Sequence, residues 1–164
     1  MRNTQKRIIV AVLGIFSVAA VGAAQDFSFS TPAGQTVSLS SLRGNVVVLL
    51  FSGLQDPQRR EGLKAVESLA DRYSGKNVKV YWISVNNAAE LSNDQLKGMS
   101  STIPVLRDNN QAAFKRLSGK VAQLPTVVIL DGEGKAIGQP RGGFNPNSDF
   151  VNDLASVIDR QLQR

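Results

Sequence analysis

Three apolar runs dominate the chain: Val46–Phe51 (VVVLLF), Val78–Val85 (VKVYWISV) and Thr126–Leu130 (TVVIL). Short, continuous and rich in β-branched residues, they predict central strands covered on both faces. Elsewhere the apolar period becomes helical. Leu63, Val66, Leu69, Ala70 and Tyr73 share one face of a helix that Ser74-Gly75 ends. Phe150, Val151, Leu154, Val157, Ile158 and Leu162 form the stripe of a closing helix over Ser148–Leu162. Asp56-Pro57 reads as the start of the first helix, with Asp56 capping free amides and Pro57 in the first helical position. Phe27–Ser30 and Thr36–Ser40 alternate on either side of the turn Thr31–Gln35 and predict a β-hairpin. Weaker patterns predict a polar helix around Asn93–Met99 and a short strand at Ile103–Leu106. A short helix is predicted over Gln111–Leu117, with Ala112, Ala113, Phe114 and Leu117 inward. Asp131–Gly134 is a hairpin turn, and Lys135–Gly138 the edge strand returning from it.

The first residues change the picture of where this domain resides. Arg2, Lys6 and Arg7 precede the apolar stretch Ile8–Val21, and the small residues Gly22-Ala23-Ala24 follow it. Basic start, apolar stretch and small-residue exit predict a secretory signal peptide over residues 1–24, with an uncleaved anchor over residues 8–24 as the alternative. Either layout exports the domain that follows, residues 26–164, to the periplasm or another extracytoplasmic space. The formal charge of +6 partly belongs to that segment: removing its three basic residues from 19 leaves 16 against 13 acids. With no Lys/Arg block and few aromatics among the charges, a nucleic-acid partner is set aside. A membrane partner is expected only if the first segment is kept.

Candidate chemistry is narrowed further by two absences, since the chain has no cysteine and no histidine. There is no disulfide, thiolate nucleophile or Cys-ligated metal, and the side chain that titrates near neutrality is missing. No cofactor and no metal are expected. Stability must come from the core alone, although an exported compartment tolerates disulfides.

Strand, helix, strand, helix, strand hairpin and final helix is the order of an α/β thioredoxin-like fold, a central mixed β-sheet flanked by helices, here with an N-terminal β-hairpin. Val46–Phe51, its short loop and the Pro-started helix resemble the strand, active-site loop and first helix of the thioredoxin-like superfamily. Gln123-Leu124-Pro125-Thr126 resembles the cis-proline loop of that superfamily. Val37–Gly44 leading into the central strand is similar to the exported TlpA-like and peroxiredoxin-related branch. The resemblance implies thiol–disulfide or peroxidase chemistry, and the residues forbid it. Asp56 and Arg59 occupy the positions of the paired cysteines, and both reactions begin with a thiolate.

The altered loop then has two readings. In one, Asp56 is a helix cap that forms an exposed pair with Arg59, worth on the order of 0.5 kcal/mol. In the other, Arg59 and Arg60 bind a small anion at the helix start. Nothing in the spacing supports an acid–base pair of Asp56 with Glu61 or Asp108. The resemblance also implies a peptide site at Gln123, Leu124 and Pro125, where Leu124 offers backbone groups to an extended partner. An architectural role for Pro125 is the alternative. Arg141-Gly142-Gly143-Phe144 reads as a strand-to-helix connection. The function expected is that of a redox-inactive exported domain binding a protein or peptide. The alternative is an accessory member of a thiol-disulfide or antioxidant pathway, acting with a cysteine-bearing partner.

Overall fold

The computed structural model describes residues 26–99, 102–120, 123–143 and 148–164, so the signal peptide expected over residues 1–24 lies outside the described residues. The apolar runs become the middle of one seven-stranded mixed sheet, ordered β2-β1-β5-β4-β3-β6-β7. Its strands are β1 (Ser28–Ser30), β2 (Thr36–Ser38), β3 (Val46–Ser52), β4 (Val78–Ser84), β5 (Val105–Arg107), β6 (Thr126–Leu130) and β7 (Arg141–Gly142). β3 pairs parallel with β4 and antiparallel with β6, and β4 pairs parallel with β5. The predicted hairpin is β1–β2, and β1 joins the sheet at β5 through Ser30 and Arg107.

Every residue of β3 is buried, and the strand's alternation divides it between two cores. Val46, Val48 and Leu50 pack with Val66, Leu69 and Tyr73 of helix α1 (Arg59–Arg72 and its cap) and with Leu154 and Ile158 of α4 (Ser148–Leu162). Val47, Leu49 and Phe51 face the other way, toward Phe29, Leu39 and Phe114. Phe114 belongs to α3 (Ala112–Leu117), and its ring lies 5.5 Å from that of Phe51. Covering both faces is what permits the unbroken apolar sequence. The remaining helix, α2 (Asn93–Lys97), opens with a capping box in which Ser92 and Gln95 satisfy each other's backbone amides.

Four local expectations are corrected. Helix α1 begins at Arg59, with Gln58 in the cap position and no side-chain cap bond, so neither Asp56 nor Pro57 has its predicted place. The buried carboxylate of Asp56 is used elsewhere, as described below. Lys135–Gly138 forms no strand; Ala136 makes one bridge to Leu130, and the edge strand is β7 instead. Gly138 has φ +67°, which turns the chain away from the ladder before Pro140. Ala112 is exposed rather than inward, because the turn of α3 brings Ala113 and Phe114 to the core. Leu162 is 36% exposed, since the stripe of α4 outlasts the sheet it packs on.

Polar contacts fasten the two long helices, an exposed Arg72–Asp159 ion pair of 3.6 Å and the Tyr73 hydroxyl. The Tyr73 hydroxyl lies 2.8 Å from Asp159 Oδ1 and 3.0 Å from the Ala155 carbonyl, sharing its proton between them. Burial first, and Asp159 second, push the Tyr73 phenol up to about 12. A raised folded-state value means that this contribution is intact below the ordinary tyrosine value near 10 and is lost as pH rises toward 12. Tyr73→Phe is expected to lose about 1 kcal/mol at neutral pH and to show a shallower loss of stability in alkali, measured by urea unfolding across pH.

Candidate functional site

The C-terminal ends of β3 and β4 and the start of β6 meet at one edge of the sheet. In open α/β sheets this is where strand order switches and a crevice forms. Ser52, Ser84 and Thr126 mark those ends and are fully buried. Beyond β3 the chain crosses Gly53–Gln58 into α1, and this loop carries Asp56.

Asp56 is only 7% exposed. Its Oδ2 accepts 2.6 Å from Ser52 Oγ, and its Oδ1 accepts 2.9 Å from the Gln58 amide. The carboxylate therefore turns inward, to the end of the central strand. No ion pair joins it to Arg59 among the described residues, which corrects the exposed-pair reading. Burial explains the difference: Asp56 is inside, while Arg59 reaches back with Nη1 to the Leu54 carbonyl at 3.2 Å. Arg59 and Arg60 do come together. They line a cavity of about 200 Å³ on the flank of α1 with Leu63, Trp82, Gly98 and Met99.

The loop before β6 has the Leu124–Pro125 bond in cis. Pro125 is buried, Leu124 half-buried and Gln123 exposed. The Gln123 carbonyl accepts from Thr126 Oγ1 at 2.5 Å, and the Pro125 carbonyl from the Gly143 amide at 2.9 Å. Among the described residues the Leu124 N–H and C=O have no partner. Gly143, read from sequence as part of a plain connection, extends the β6–β7 pairing past this loop. Its φ is +59°, left-handed backbone that favours glycine, and a β-carbon there would displace the exposed Gln123 side-chain amide.

A groove of about 280 Å³ separates the two loops, with Leu54, Pro57, Val85 and Leu124 supplying apolar walls and Asn86 and Gln111 polar ones. Asp56 and Glu90 also line it, so the groove offers apolar walls edged by amides and two carboxylates, a lining that suits an extended chain carrying an apolar side chain. A further cavity of about 340 Å³ shares Val85, Glu90 and Gln111 with it and continues toward Asn110 and Lys115. Gly53 forms the floor: a β-carbon would stand 3.2 Å from Asn86 Oδ1 and 3.3 Å from Val85 Cγ2.

Several residues that hold this groove carried no sequence signal. Asn86 accepts from the Leu54 amide at 2.8 Å and donates to Glu90 at 2.8 Å, bridging the two sides. Arg107 is buried without a carboxylate partner among the described residues. It donates to the carbonyls of Asn86 at 2.7 Å and Leu91 at 2.6 Å. Burial pulls its guanidinium below the usual arginine value. Beside it, buried Asp108 accepts from the amides of Ala113 and Phe114 at the start of α3. Burial pushes the Asp108 carboxyl up, against the pull of those amides. Asn110 and Gln111 then take left-handed backbone, φ 60° and 57°, and Gln111 Nε2 donates to the Val85 carbonyl at 3.1 Å. Two adjacent non-glycine residues in that region cost on the order of 1 kcal/mol each, strain held where Gln111 lines the groove.

The AhpC/TSA family profile matches residues 21–137. No curated protein matches the chain. Among solved structures, the exposed lipoprotein thioredoxin of Streptococcus pneumoniae is similar at TM-score 0.65 and 23% identity, over 82% of this chain and 99% of that one. A Chlorobium tepidum protein provisionally named as the thiol:disulfide interchange protein DsbE is similar at TM-score 0.69 and 23% identity, over 85% and 95%. An uncharacterised conserved protein of Geobacillus kaustophilus follows at 0.67 and 20%, over 86% and 80%. Identities this low speak to the fold, which is thioredoxin-like. The cysteines of that chemistry are absent from this chain.

The Ser52–Asp56 contact is the simplest part of the site to test. Ser52→Ala leaves one oxygen of a buried carboxylate without its donor. It is expected to cost about 1–3 kcal/mol by urea denaturation at neutral pH, more than an exposed Ser→Ala change elsewhere.

Proposed function

The chain belongs to the AhpC/TSA family, and from that premise we propose that it is an exported, thiol-free member that binds an extended peptide or protein segment. The observation that carries this reading is the unpartnered Leu124 backbone at the rim of an apolar groove. An extended chain pairing with that N–H and C=O gains two main-chain hydrogen bonds, and its side chain enters the groove. None of this needs a thiol. Asp56, in the place of the attacking cysteine, accepts from the Ser52 hydroxyl and the Gln58 amide, a structural use of its carboxylate that holds the loop.

Export rests on the basic, apolar and small-residue order of residues 1–24. The similarity to an exposed lipoprotein thioredoxin agrees with it. Among the described residues no helix is long and apolar enough to cross a membrane.

Two outcomes follow. The purified protein is expected to give no insulin reduction and no peroxide consumption above buffer, because it has no sulfur nucleophile. Selection from a random heptapeptide library is expected to yield apolar-centred peptides whose affinity falls about tenfold or more in Gly53→Val, which fills the groove floor. Lys79→Gln, at the far end of β4, is the control and keeps the affinity. A library that returns no binder, or peptides bound equally by Gly53→Val with its fold intact by circular dichroism, overturns the reading.

A further inference from the structure

The cavity on the flank of α1 is separate from the groove and does not depend on the peptide reading. Leu63, Trp82 and Met99 give it an apolar lining, and Arg59 and Arg60 add two cations. Trp82 is 1% exposed, and its indole Nε1 has no hydrogen-bond acceptor among the described residues. Trp82 lines the cavity, and a buried donor left unpaired costs about 1–3 kcal/mol, so a ligand that brings an acceptor to this N–H gains from it. Arg60 makes no ion pair among the described residues, and Arg59 is bound only to the neutral Leu54 carbonyl. Among its described lining residues the cavity has no acid to neutralise these cations.

We propose that this cavity binds an apolar monocarboxylate, with its body on Leu63, Trp82 and Met99. The carboxylate is held by the two guanidinium groups and accepts from the Trp82 indole N–H. Three features select that class. The volume of about 200 Å³ admits a small organic molecule and is too small for a folded partner. The apolar lining disfavours a fully hydrated inorganic ion, whose water shell it cannot replace. The pair of planar guanidinium groups matches the two oxygens of a carboxylate. The free N–H adds a directional contact that a neutral analogue loses only in part, so charge is the discriminating term.

The composition makes the test clean, because Trp82 is the only tryptophan and gives one indole signal. Nitrogen-15 labelled protein is titrated with phenylacetate, with the neutral phenylacetamide, and with an acetylated tripeptide ending in phenylalanine with a free carboxyl. A saturable downfield shift of the indole N–H with phenylacetate, weaker by about tenfold or more in Arg60→Gln and in Arg59→Gln, supports the proposal. Response to the tripeptide as well identifies a chain terminus as a source of the ligand; response to phenylacetate alone identifies a free acid. An indole signal that does not move, as when ordered water satisfies it, overturns the proposal. Equal response to phenylacetamide, or equal affinity in both variants with unchanged spectra elsewhere, also overturns it. A groove-bound peptide that leaves the indole signal in place separates this outcome from the peptide reading.

Discussion

A carboxylate buried at the end of a central strand must be hydrogen-bonded there or destabilise the fold, and this constraint governs the loop around Asp56. Ser52, the last residue of β3, provides the donor at 2.6 Å, and the Gln58 amide provides another at 2.9 Å. Both come from within six residues of the acid, so the loop closes on itself before α1 begins. A thiol pair in the same frame would have to remain accessible to react. The inward carboxylate answers a different requirement, a fixed loop whose outer surface is one wall of a groove.

The opposite wall is held with comparable economy. Arg107, buried among backbone carbonyls, fixes the segment from Asn86 to Leu91, and Asn86 reaches across to the Leu54 amide. Gln111, held in left-handed backbone, donates to the Val85 carbonyl just ahead of that segment. Between these walls Leu124 keeps both backbone groups unpartnered among the described residues. Buried and half-buried backbone groups are rarely left so, except where a partner completes them.

Much of the fold was legible because long apolar runs have one economical solution. Val46–Phe51 and Thr126–Leu130 read as central strands and are adjacent ones, and the stripe of α4 gave its limits. The loop before α1 was misread for a physical reason. Asp-Pro is a common helix start, yet the buried Asp56 carboxylate is divided between the Ser52 hydroxyl and the Gln58 amide, and the helix begins only at Arg59. The edge strand moved to Arg141–Gly142 because Gly138 turns with positive φ, which a local pattern does not reveal. Arg107, Asn86 and Gly143 act through partners distant in sequence, and no spacing rule connects them. Arg59 and Arg60 were identified as cations at a helix start, but their shared cavity depends on Trp82 from β4 and Met99 after α2.

Pairing of a partner's backbone at Leu124, with no thiol chemistry, is the step on which the proposed function depends. The direct measurement is amide hydrogen exchange at Leu124, followed by NMR in the free protein and with a library-selected peptide bound. The account predicts fast exchange in the free protein and strong protection in the complex. A peptide that binds while the Leu124 amide still exchanges at its free rate would contradict it.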